Sequence, residues 1–228
     1  MTTAPRIPPD ATDPARAAIL AGTGDELDDM TLMTAILSLA LPASADRPRV
    51  AGRLLARFGT VGGLLAADPE DLAAAVEGKV PVSVAILLLR EAAIRLMRAR
   101  ISQGNVLSCH AALMSYLQAA LARDDVEQFR VLFLDHQARL ISDEVLARGT
   151  VDHTPVYPRE VMRRAIRLKA RELILVHNHP GWNPMPSRED IAMTRRLEQI
   201  ATVLGLSIRD HIIVGNGAST SFRQSGLL

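Results

Sequence analysis

The chain has 228 residues, 48% of them hydrophobic, with a mean hydropathy of +0.14 and a formal net charge of +1. That is ample apolar material for one large or two small packed domains, and it excludes a global basic field that would draw in nucleic acid or anionic membrane. Cys109 is the only cysteine, which excludes an intrachain disulfide and a thiolate metal cluster; with no leader-like or membrane-length apolar run, the expectation is a cytoplasmic protein without membrane contact.

Residues 1–29 mix Pro5, Pro8, Pro9 and Pro14 with acids and small residues, which predicts a loose arm around one short helix at Ala15–Ala21. From Met30 the apolar residues Leu32, Met33, Ile36, Leu37, Val50, Leu54, Leu55 and Phe58 recur at helical steps, and Gly59 closes a helix. Asp68-Pro69-Glu70-Asp71 is a helix start: Asp68 caps, Pro69 fits the first helical position and the acids suit the positive dipole end. A longer helix runs from Pro81 or Val82 to about Ile101. Residues 30–101 are thus expected to form an all-helical module.

After Ser102-Gln103-Gly104-Asn105 strands and helices alternate through residues 102–228. A helix is predicted at Ala111–Ala122, a strand pair at Phe129–Leu134 and Leu140–Leu146, and an amphipathic helix at Pro158–Lys169. A buried strand at Leu173–His177, a helix from Ser187 to about Leu204, a strand at Leu206–Val214 and a short strand near Ser219–Arg223 follow. The fold class is therefore α/β behind an N-terminal helical module.

The chemistry concentrates in His177-Asn178-His179-Pro180 and Ser187-Arg188-Glu189-Asp190, which together read H-x-H-x7-S-x2-D. Two histidines two apart on a strand point to one side, Asn178 points away, and Asp190 comes from the first turn of the next helix. Two imidazoles and a carboxylate suit a zinc ion with its fourth corner left to water, the arrangement of hydrolytic zinc sites. The alternative for Asp190 is the acid of a capping box begun by Ser187; both roles are compatible, since a capped helix start holds the carboxylate rigidly. His110, His136 and His153 are expected to be structural or solvated. Asp210 is either an outer hydrogen-bond partner of a ligand histidine or a plain sheet-edge residue. Trp182, the only tryptophan, is either a lid over the site or a substrate contact.

With Glu144, Gly149-Thr150, His153, Pro158-Arg159-Glu160-Val161, the two motifs above and Asp210-His211-Ile212-Ile213-Val214-Gly215 in this order, residues 102–228 resemble a RadC-type protein of the JAB/MPN superfamily of zinc metallopeptidases. The resemblance implies a mixed sheet flanked by helices, of the cytidine-deaminase-like kind, with His177, His179 and Asp190 holding Zn2+, Glu144 as general base and Ser187 beside the reaction centre. Position in the family, not parity, chooses Glu144 over its neighbour Asp143. The implied partner is a peptide or protein substrate. Residues 30–101 resemble the helix-hairpin-helix region that precedes the domain in RadC proteins. Relatives there carry Gly-hydrophobic-Gly to offer N–H groups to a phosphate, whereas this chain has Gly78-Lys79-Val80-Pro81-Val82. The second glycine is missing and Pro81 has no N–H, which counts against DNA binding. The turn after His179 also departs from the usual Pro-Ser-Gly, reading Pro180-Gly181-Trp182-Asn183.

Three rivals to a zinc peptidase remain at this level. Nucleobase deamination requires H-x-E and Cys-x-x-Cys, and the chain has neither. A DNA-repair or fork-associated accessory protein would use the helical module on branched duplex. A catalytically silent scaffold would keep the metal for folding. Substrate identity and oligomeric state have no signature in the sequence.

Overall fold

The computed structural model describes residues 14–102, 104–121, 126–149, 156–180, 183–215 and 217–228. His153, Trp182 and most of the expected N-terminal arm lie outside these. Two compact units divide after Glu91. The division falls inside a helix that the periodicity assigns wholly to the first module.

The first unit is helical: α1 Pro14–Ala21, α2 Asp29–Ala40, α3 Arg47–Phe58, α4 Val61–Leu65, α5 Pro69–Ala75 and the first half of α6 Val80–Ser102. Its starts are set by local chemistry. Asp28, Asp46, Thr60 and Asp68 each accept a hydrogen bond from a backbone N–H in the first turn of the helix they precede, satisfying donors that the helix itself leaves open. Gly59 ends α3 at φ 81°, and a Cβ on Gly63 would lie 2.2 Å from the Phe58 carbonyl oxygen, so only glycine fits the tight α3–α4 corner. Met33, Leu37, Leu54, Leu64, Leu72 and Ile86 fill the core.

In the segment leading into α6, the N–H groups of Lys79, Val80 and Val82 already donate to the carbonyls of Val76, Gly78 and Lys79. Lys79 Nζ lies 3.5 Å from Glu77 Oε2.

The second unit is a five-stranded mixed sheet of β1 Gln128–Leu134, β2 Leu140–Arg148, β3 Glu172–Asn178, β4 Ser207–Val214 and β5 Ser219–Ser221, in the order β2-β1-β3-β4-β5. β1 runs antiparallel to β2 and β3, β3 parallel to β4, and β4 antiparallel to β5. Helix α7 His110–Leu121 covers one face, where Tyr116 and Leu117 meet Leu132, Leu134, Ile174 and Val176. Helices α8 Pro158–Arg167 and α9 Arg188–Val203 cover the other, where Val161, Ala165, Leu197 and Ala201 meet Phe129, Val131, Leu173 and Leu175. Alternation along the strands makes this split inevitable: odd positions of β1 and β3 face α8 and α9, even ones face α7. β3 is buried at every position, as a central strand covered on both faces must be. Among the described residues no helix is long and apolar enough to cross a membrane.

Candidate metal centre

His177 is the last odd position of β3, so its imidazole projects toward the α8/α9 side at the strand tip. His179 follows directly, and its backbone N–H donates to the Val214 carbonyl at 3.0 Å, which ties the tip to β4. Across the loop, Ser187 caps α9 in a reciprocal capping box with Asp190. Ser187 Oγ and Ser187 N donate to Asp190 Oδ2 at 2.6 and 2.8 Å, and Asp190 N donates to Ser187 Oγ at 3.0 Å. The cap thus fixes the carboxylate while leaving Oδ1 turned toward the strand. Ser187→Ala is expected to cost about 1 kcal/mol of stability through loss of this cap, measured by urea unfolding of chelator-treated protein; a midpoint equal to wild type would contradict that role.

The three side chains converge. His177 Nε2 lies 2.9 Å from His179 Nε2 and 3.2 Å from Asp190 Oδ1, and His179 Nε2 lies 3.5 Å from Asp190 Oδ2. His179 Nδ1 is 2.9 Å from the Asn183 carbonyl oxygen; a carbonyl only accepts, so Nδ1 carries a hydrogen and, in the neutral ring, Nε2 presents a lone pair. His177 Nδ1 meets His211 Nε2 at 2.8 Å on its other side. The two Nε2 atoms and the Asp190 carboxylate thus face one common point, where a cation would be attracted. These residues form the one group among the described residues able to hold a metal ion, with one ligand atom from each lying within 4.8 Å of the others.

Burial by itself would raise the Asp190 pKa, but the facing His177 and His179 and the Ser187 hydrogen bond outweigh it and hold the carboxyl far below the usual carboxylate range, which keeps it ionised. The Asp190 hydrogen bond raises the His179 pKa against the opposing effect of burial, with the Asn183 carbonyl and the charge of Glu127 adding to the rise. His211 is fully buried, and burial first, then the neighbouring His177, pushes its pKa well below the ordinary histidine value, so the ring is neutral.

A cavity of ≈ 380 Å³ opens beside this group, lined by His177, Asp190 and Glu189, by apolar Phe129, Val156, Pro158, Ala192 and Met193, and by Glu127 and Arg196. Glu127 was not singled out by the sequence. It precedes β1, and because Phe129 pairs with His177 in antiparallel register, it stands opposite His179 on the same face of the sheet. Asn178, between the two histidines, points to the other face as its parity requires. Its amide takes the Gln128 N–H at 2.9 Å and donates to the Val126 carbonyl at 3.1 Å, pinning the backbone on both sides of Glu127.

Glu144 lies elsewhere. It pairs with Val131, which pairs with Leu175, so it sits two strands across and two residues along from His177, roughly 11–12 Å away by strand geometry. Its carboxylate accepts from Arg164 Nε at 2.5 Å, Arg164 Nη2 at 2.6 Å and Ser142 Oγ at 2.7 Å, and the Arg164 hydrogen bonds hold its pKa below the usual glutamate value. It is absent from the cavity wall. The structure therefore does not bring Glu144 to the His177, His179 and Asp190 group; it makes Glu144 the clamp between β2 and α8. Asp143 faces the opposite side, bound to Arg130 Nη1 at 2.9 Å and to the Tyr116 hydroxyl.

A folded-state pKa below the unfolded value of about 4.3 means the Glu144 carboxylate stabilises the fold above that pH and ceases to as pH falls through the folded value. Glu144→Gln should accordingly lose about 1–2 kcal/mol at pH 7, and the deficit should be smaller at pH 4 and shrink further as pH falls through the folded value. Denaturant unfolding at both pH values with chelator present measures this, and a deficit independent of pH would contradict it.

Asp210 does not reach a ligand histidine. It accepts from the His211 N–H, Ser221 Oγ and the Arg223 N–H, so it secures β5 and the turn after it. His110 and His136 are exposed.

A family model described as the RadC-like JAB domain matches residues 107–227. The chain is similar to a UPF0758 protein of Rhodobacter capsulatus, 47% identical over 93% of this chain and 99% of that one. It is also similar to a UPF0758 protein of Ruegeria pomeroyi, 42% identical over 93% and 95% of the respective chains.

Proposed function

Because the chain belongs to the RadC family within the JAB/MPN superfamily, we propose that it is a zinc-dependent metallopeptidase or isopeptidase, hydrolysing a peptide-type amide. The observation that carries this reading is the convergence of His177 Nε2, His179 Nε2 and the Asp190 carboxylate beside an open cavity. Zinc bonds of about 2.0–2.2 Å in a tetrahedral site space the ligand atoms about 3.3 Å apart; the two Nε2 atoms are 2.9 Å apart, and each lies within 3.5 Å of one Asp190 oxygen, Oδ1 for His177 and Oδ2 for His179. Three N and O ligands from one side leave a corner for water, as in hydrolytic sites.

When bound there, zinc supplies Lewis acidity, lowering the pKa of a coordinated water to about 7 and polarising the substrate carbonyl. The chain's own groups do the rest. We assign the general base to Glu127 in place of Glu144: it shares the cavity with His177 and Asp190, its charge acts on His179, and Asn178 holds the backbone on either side of it. Its carboxylate accepts the attacking water's proton and passes it to the leaving amine nitrogen. Ser187 holds Asp190 in place by donating its one hydroxyl proton to Oδ2; the oxyanion role that the family resemblance implies requires that proton to leave Asp190 as charge develops on the substrate. Phe129, Val156, Pro158 and Met193 give a side-chain-sized apolar wall next to the ligands, suited to the residue flanking the scissile bond.

The DNA-accessory reading has less support, since the N–H groups of Lys79, Val80 and Val82 are already spent on backbone carbonyls and Pro81 has none to give. Zinc-loaded protein incubated with a library of linear and lysine-branched peptides should cleave amides, and chelator should stop it. An unchanged library would overturn the hydrolase reading.

A further inference from the structure

We propose that Thr194 and His211 form a positioning relay that fixes His177 with its hydrogen on Nδ1, so that its Nε2 lone pair stays aimed at the metal; the inference rests on the metal-site reading above. One donor count sets the direction of every bond. The Asp190 backbone carbonyl only accepts, so Thr194 Oγ1, 2.6 Å away, spends its single proton there. Thr194 Oγ1 then meets His211 Nδ1, also at 2.6 Å, as an acceptor, which places a hydrogen on that nitrogen. A neutral imidazole has only one N–H, so His211 Nε2 carries a lone pair. It lies 2.8 Å from His177 Nδ1, which must therefore donate.

The relay joins two of the three ligands. It begins at the carbonyl of Asp190 on α9, crosses to β4 at His211, and ends at His177 on β3. His211 has no freedom to break it: the ring is 0% exposed and packed against Phe222 and Phe129, with centroids 4.5 and 6.2 Å away. Register fixes its direction, because Leu175 pairs with His211 and His177 with Ile213 in the parallel β3–β4 ladder, which puts both histidines on the same face. If any link ran the other way, His177 Nε2 would carry a hydrogen pointing at His179 Nε2 and the metal would have to displace it. Partners of this kind, by orienting a ligand imidazole, typically contribute about 10–100-fold in metal affinity.

The test needs two readouts. Long-range imidazole 1H–15N spectra of the metal-free full chain should show His177 protonated at Nδ1. Chelator competition with Zn2+ should show affinity about 10–100-fold lower in Thr194→Val, which keeps the shape without the acceptor, and in His211→Phe. Thr194→Ser should restore it, and His211→Gln, whose amide oxygen can accept where Nε2 does, should restore it in part. A wild-type His177 protonated only at Nε2, or a Thr194→Val protein with wild-type affinity, would overturn the relay. Wild-type protein that binds no Zn2+ would instead overturn the metal reading, and the tautomer spectrum, which needs no variant, would still decide the relay.

Discussion

Glu127→Gln is expected to lower turnover by about 10²–10⁴-fold, the usual contribution of a positioned general base, with bound metal unchanged. The amide keeps the size of the carboxylate but cannot take a proton, and residue 127 is not in the ligand group. Its place follows from the sheet: antiparallel pairing of Phe129 with His177 sets it across from His179, and the shared cavity gives substrate access. Glu144→Gln is the matched control, since that carboxylate is held by Arg164 and Ser142; it should retain full turnover per folded molecule. Steady-state rates and metal content of the two variants, side by side, check the assignment. Full activity in Glu127→Gln together with an inactive, folded Glu144→Gln would return the base to β2.

His177→Ala is expected to abolish metal-dependent stabilisation. Structural zinc sites contribute roughly 10–16 kcal/mol over their full ligand sets, so removing one ligand should weaken zinc binding by roughly 10²–10³-fold. A ligand at 100 times its Kd stabilises the native state by about 2.7 kcal/mol, which for a chain of this size is a rise of roughly 5–10 °C in Tm. Wild type should show that rise on adding zinc, and His177→Ala should not at the same concentration. Equal shifts in the two proteins would place the metal elsewhere.

What the sequence carried well is what local chemistry decides. Asp68 and Pro69 start α5, Gly59 ends α3, and Ser187 with Asp190 builds the capping box of α9, because each depends on groups within one helical turn. The H-x-H pair was legible for the same reason: period two on a strand is a local property. Glu127 was not. It lies just outside a strand, next to Asp124 and Asp125 in an unremarkable acidic stretch, and only the β1–β3 register, a contact across fifty residues of chain, turns it toward the site. Glu144 was chosen by its position in the family; a carboxylate in the apolar strand run requires a partner, and that partner is Arg164, arriving from α8 and not from the site. Asp210 was the residue weighed as an outer partner of a ligand histidine, and its neighbour His211, which points to the opposite face, takes that place instead. The parallel β3–β4 ladder decides for His211.

The central claim is that two imidazoles and a carboxylate share one metal ion. Crystals of the full chain soaked in Zn2+ and measured at the zinc absorption edge test it directly. The predicted result is a single anomalous peak about 2.0–2.2 Å from His177 Nε2, His179 Nε2 and an Asp190 carboxylate oxygen. A protein without a peak there, or with zinc bound only by other residues, would contradict it.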